Sequence, residues 1–191
     1  MSAVTLMLPE ADGGFINRDS LGDQSHIRPG DLHWTQAGRG MMHEEVPSEL
    51  GRAARGLQVF VNLARVHKQA EPAAFHIDRE LVPTVAVSGG QVRVVAGTFN
   101  GQTSPIANDP RWLTRVNMLD ITLEPGATLS VPLPVRDNAF FVLRSGSVVV
   151  NGQTFSEPVA VISTRDGDTF TLQAGDQALR GVLFAGTPID E

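Results

Sequence analysis

Short apolar runs, each closed by a turn signal, recur along this chain and constrain its fold more than any other feature. In the second half they fall at residues 84–87, 91–96, 119–123, 128–131, 140–143, 148–150, 159–162, 169–172 and 179–184. Between them stand Ser88-Gly89-Gly90, Glu124-Pro125-Gly126, Arg144-Ser145-Gly146, Asn151-Gly152, Arg165-Asp166-Gly167-Asp168 and Ala174-Gly175-Asp176. No segment reads as a long helix, so the pattern predicts an all-β sandwich or barrel. The sharpest hairpin signal is residues 148–155, where Asn-Gly suits a type I′ turn between two apolar runs. Residues 97–115 form the longest irregular piece and are expected to cover a barrel mouth.

The first half reads in the same way. Residues 2–8 suggest a strand, residues 9–14 a hairpin turn and residues 15–18 the return strand. Residues 57–63 alternate, with Leu57, Val59, Val61 and Leu63 on one face. The polar stretch 65–72 marks a soft boundary, with Phe75-His76-Ile77-Asp78 as an edge segment or linker beyond it. Two domains are therefore expected, residues 1–72 and 73–191.

Composition narrows the function classes. With 191 residues, 41% of them hydrophobic, the chain can bury a core. It contains no cysteine, which excludes disulfides and thiolate metal sites and leaves His, Asp and Glu as the possible ligands. The net charge of −6 carries no basic block, which argues against direct nucleic-acid binding. Val4-Thr5-Leu6-Met7-Leu8 is short, lacks a preceding basic residue and stops at Pro9-Glu10, so neither a secretory leader nor a membrane span is read there, and the expected compartment is the cytoplasm.

All five histidines (26, 33, 43, 67 and 76) lie in the first 76 residues, so metal or proton-relay chemistry based on imidazole is confined to the first half. The stretch 28–47 carries the strongest candidates. Pro29-Gly30-Asp31 opens a turn, residues 32–36 extend, Gly38-Arg39-Gly40 reverses the chain, and residues 41–46 extend again to Pro47. Side chains two apart on a strand share a face, so His43 and Glu45 project together and Glu44 points away. The pair has two readings, as hydrogen-bonded surface residues or as half of a metal site. His33 shares its face with Asp31 and Thr35; it reads as a wall or solvent histidine, and as a substitute ligand in second place. His26 is expected in a turn, His67 and His76 in solvent. Arg39 is expected to fix its turn. Trp34, Met41 and Phe60 read either as ligand-pocket lining or as plain core.

Residues 29–47, Pro-Gly-Asp-Leu-His-Trp-Thr-Gln-Ala-Gly-Arg-Gly-Met-Met-His-Glu-Glu-Val-Pro, followed by Gly56-Leu57-Gln58-Val59-Phe60-Val61-Asn62-Leu63, resemble the pirin family of bicupins. Arg18-Asp19-Ser20-Leu21-Gly22 suits the same family, as do the cupin-like residues 140–148 and the closing residues 183–189. The resemblance implies two β-barrels and a mononuclear metal in the first, usually iron, held by a His-x-His pair, a later histidine and a glutamate. His43 and Glu45 match the last two. The first pair has no counterpart here, because Met1 falls just after the place where that motif ends. The N-terminal barrel is therefore expected to be incomplete, and the second to carry no metal ligands.

The expected activity of the intact form, implied by the resemblance, is that of a metal-dependent quercetin 2,3-dioxygenase-type enzyme acting on a flavonoid-like molecule. His43 would be a ligand of iron or another divalent transition metal, and Glu45 a ligand and catalytic base. A two-ligand site binds weakly, so little or no metal is expected on this chain. The alternative is a non-enzymatic binding or regulatory protein with a protein partner. Strand edges left by an incomplete barrel invite pairing between chains, so a homodimer is expected.

Overall fold

A computed structural model describes residues 1–189 except 151, 157, 165 and 166. The chain is all-β, with nineteen strands among the described residues and short 3₁₀ turns as its helical content. Among the described residues no helix is long and apolar enough to cross a membrane. It divides into two compact units: Met1–Val82 with Asn108–Thr114 and residue 189, and Pro83–Ala107 with Arg115–Pro188.

Two sheets make the first unit. The larger places β1 (Ser2–Met7) between β6 (Gly56–Val61) and β4 (Leu32–Gln36), with β7 (Ala73–Ile77) on the far edge of β4. The smaller pairs β2 (Phe15–Asp19) with β3 (Gln24–Ile27) and β5 (His43–Pro47). The expected hairpin between residues 2–8 and 15–18 is thus a correction: both strands exist, but they belong to different sheets. Turn residues at 9–14 mark a reversal without saying whether the two flanking strands pair.

The domain boundary also moves. β7 pairs antiparallel with β4, with His33 opposite His76, so residues 73–82 belong to the first unit and the division falls at Val82/Pro83 rather than after residue 72. A strand is assigned to a unit by its hydrogen-bonding partners, which the polarity of residues 65–72 does not reveal. Residues 97–115 are divided as well. The first part forms a small hairpin, Thr98–Phe99 with Gln102–Thr103, in the second unit. Asn108–Thr114 joins the first unit, where Trp112 meets Trp34 edge-on at 5.4 Å and Gln36 bridges the Arg111 carbonyl and the Leu113 amide. Trp34 is therefore core on the sheet's apolar face, not a pocket lining.

The two faces of the larger sheet divide by polarity. Val4, Leu6, Leu32, Trp34, Phe75 and Ile77 lie on one, all buried; Thr5, His33, Thr35 and His76 lie on the other. That polar face looks toward the smaller sheet, as the bond from Thr5 to Glu45 shows. The bottom of the space is closed by Met7, Ala11 and Ile27, with Phe15 packed against them. Strand alternation makes this arrangement, since one residue of slip would exchange the faces. Gly38, at φ +52, turns β4 toward β5 where an added Cβ would lie 2.1 Å from the Ala70 carbonyl oxygen.

The second unit packs a six-stranded sheet and a four-stranded sheet around one apolar core. The larger has the order β17 (Val159–Ile162), β14 (Asn138–Ser145), β19 (Leu179–Gly186), β12 (Asn117–Leu123), β9 (Gly90–Ala96), β8 (Thr84–Val87). The smaller runs β13 (Thr128–Pro132), β18 (Thr169–Ala174), β15 (Ser147–Val150), β16 (Gln153–Ser156). Leu119, Ile121, Phe141, Leu143, Val148 and Leu172 belong to the core. The strands at 147–156 pair with Val150 opposite Gln153, the register of a two-residue loop, while Asn151 itself lies outside the described residues.

Candidate metal centre

β5 places both candidate ligands on the inner face of the first unit. In the β2–β5 ladder Asn17 stands opposite Glu45 and Asp19 opposite His43, and Asn17 is fully buried. The Thr5 hydroxyl reaches across from the other sheet to both carboxylate oxygens of Glu45, at 2.8 and 2.9 Å. Glu45 is thus held by a neutral hydroxyl, whereas Glu44, on the outer face as expected, pairs with Arg18 at 3.0 Å. A carboxylate held this way is free to meet a cation.

His43 is exposed, and its Nδ1 lies 3.3 Å from the Asn17 side-chain oxygen. The Asn17 amide nitrogen points at the Asp23 carboxylate at 3.3 Å, which fixes the oxygen toward His43 as acceptor. When Nδ1 donates to this oxygen, Nε2 is the nitrogen left to present a lone pair. This is the tautomer that metal-ligating histidines adopt when a neighbouring group holds the other nitrogen.

His33 is a wall histidine on β4, not a solvent one. It is 1% exposed, neither ring nitrogen has a protein partner, and its ring tilts against that of His76 at a centroid distance of 5.7 Å. Burial, seconded by His76, lowers its pKa to about 4, so the imidazole is neutral at physiological pH. His76 is not solvated as expected: its Nε2 sits 3.7 Å from Asp31 and 3.6 Å from Asp78. His26 is exposed on β3 rather than in a turn, opposite Ile16 and away from the interior. Arg39 pairs with Glu71 at 2.8 Å and ties its turn, as expected.

The residues fit the implied metal in kind but not in number. Among the described residues, the group of three or more His, Asp and Glu side chains whose ligand atoms lie within 4.8 Å of one another is Asp31, His76 and Asp78. That group is an ion-pair cluster. Arg28 binds both carboxylates, and Asp31 also accepts the backbone amides of Arg28 and Arg79 at 2.7 Å, fastening two turns together. His43, Glu45 and His33 do not converge to that degree. In the second unit a cleft of about 550 Å³ includes Leu133, Val161, Phe170 and Thr171 in its lining and contains no imidazole.

Comparison with known proteins finds a family pattern in each half of the chain. The Pirin pattern matches residues 1–61, and that of the Pirin C-terminal cupin domain matches residues 118–191. Pirin-like protein 2 of Arabidopsis thaliana is 34% identical over 94% of this chain, which spans 57% of that protein. Among solved structures, GK1651 from Geobacillus kaustophilus is 30% identical with a TM-score of 0.87, covering 100% of this chain and 75% of its own. Quercetin 2,3-dioxygenase from Acinetobacter baumannii is 27% identical with a TM-score of 0.88, covering 100% of this chain and 66% of its own. With two cupin-type units and both family patterns in order along it, the chain belongs to the pirin family.

Proposed function

We propose that this pirin is of the metal-dependent oxygenase type that acts on flavonol-like molecules, with His43 and Glu45 as two of its metal ligands. The supporting observation is the pair itself: an imidazole held through Nδ1 at Asn17, beside a carboxylate that has no cationic partner among the described residues, on the polar inner face. His43 and Glu45 would hold a transition metal there, which would supply Lewis acidity toward a ring hydroxyl. Glu45 accepts the hydroxyl proton, Thr5 holds its carboxylate toward the interior, and Asn17 holds the His43 ring. Two donors bind a metal weakly, so the isolated chain carries well under one equivalent.

Metal analysis combined with flavonol consumption tests this reading. Turnover of quercetin above the metal-free control with added Fe, Ni, Co, Mn or Cu, lost in Glu45→Gln, is the expected result; no turnover with any of them rejects it. That no third donor converges with His43 and Glu45 among the described residues favours a second reading, a non-enzymatic binding or regulatory protein. Capture of a protein partner that His43→Ala leaves unchanged would support that one.

A further inference from the structure

The second unit opens toward its own core along one seam. β17 is an edge of its larger sheet and β13 an edge of its smaller one, and the two are not paired with each other. A fully closed barrel has no such edges. The cleft of about 550 Å³ takes its lining from β17, from β18 and from the residues that follow β13, among others. Leu133 and Phe170 in that lining belong to the core, and Val161 packs against it. Ile162, also in the lining, is 78% exposed. Small-molecule sites occupy about 300–1,000 Å³ and combine apolar walls with a few placed polar groups, and this cleft meets both conditions.

The polar groups and charges select the ligand class. Ser163 accepts the Ala139 amide at 3.2 Å on its hydroxyl oxygen, which leaves its proton to donate. Thr169 donates to Asp168 at 3.1 Å, which leaves its oxygen to accept. Among the described residues the charged side chain of the lining is Asp137, which already accepts the Thr187 hydroxyl at 2.7 Å. A carboxylate without a guanidinium or ammonium beside it repels an anion, and at an open, solvated rim it draws a cation only weakly.

We propose that this cleft is a small-molecule site of the second unit that takes an uncharged aromatic molecule bearing a hydroxyl group. Phe170, Val161 and Ile162 hold its ring, and Ser163 holds its polar end. The proposal does not rest on the metal chemistry of the first unit.

Calorimetric titration of the whole chain with naphthol tests it, with naphthoate and naphthylmethylamine as an anion and a cation on the same ring system. Naphthol binds, and the two ions bind more weakly. Ser163→Ala and Ile162→Asp each weaken naphthol binding about 3- to 10-fold, the weight of one hydrogen bond or of one lost apolar contact. Ile162→Asp keeps the fold, because its position is open to water. Glu45→Gln, which probes the first unit, leaves naphthol affinity unchanged. Absence of naphthol binding, tighter binding of either ion, or both second-unit variants binding naphthol like the parent would each overturn the site. So would a loss of naphthol affinity in Glu45→Gln, which would place the molecule in the first unit. Quercetin turnover is read separately: its absence rejects the oxygenase and leaves the cleft standing, while naphthol affinity indifferent to Ser163 and Ile162 does the reverse.

Discussion

At the scale of single residues, the interior of the first unit is governed by which polar atoms are paired. Thr5 is the inner-face hydroxyl on Glu45, so Thr5→Val leaves a half-buried carboxylate short of a donor. The expected cost is about 1–2 kcal/mol, and urea unfolding measures it. His33 predicts a separate acid sensitivity. Its folded-state pKa of about 4 lies below the ordinary 6.5, so the unfolded chain takes up the proton first. The neutral ring therefore costs nothing above pH 6.5, and stability falls as pH drops from there toward 4, by at most roughly 3 kcal/mol. His33→Phe should flatten that part of the stability–pH curve, and an unchanged slope would show that another group carries it.

Among the elements, the turn between β4 and β5 and the centre of β12 are the points of least tolerance. Gly38 combines a positive φ with a backbone oxygen 2.1 Å from an added Cβ, so Gly38→Ala forces the turn itself to shift. A loss of about 2 kcal/mol or more is expected in thermal or urea unfolding, together with displacement of β5 and its two candidate ligands. In β12, Asp120 is 4% exposed and receives Arg93 at 3.0 Å and Arg144 at 2.7 Å. Asp120→Ala leaves two guanidiniums close together in a buried setting. That substitution should cost about 3–5 kcal/mol, seen as a lower denaturation midpoint in the second unit's transition.

For the whole molecule, the open side of the first unit decides association. The edge strand β6 of the larger sheet leaves Phe60 67% exposed, and the edge strand β5 of the smaller sheet leaves Val46 37% exposed. Unpaired edges with apolar side chains favour strand pairing between copies. A homodimer is therefore expected in sedimentation equilibrium, weakened by Phe60→Glu; a compact monomer at all concentrations would count against it.

The all-β class, most strand positions and the shared face of His43 and Glu45 were determined by the sequence alone. They depend on local rules: alternation sets the faces, and Gly, Pro and Asn set the turns. Strand partners were decided only by the tertiary structure. Residues 2–8 pair with β4 and β6 instead of the next strand, and β7 joins the first unit across a long connection, because pairing reflects the burial of a whole sheet face. For the same reason His33 and His76 could not be placed from their neighbours in sequence. A histidine between Leu32 and Trp34 shows alternation but not depth; burial of its ring to 1% follows from β1, β7 and the facing sheet closing around it, which no local pattern encodes.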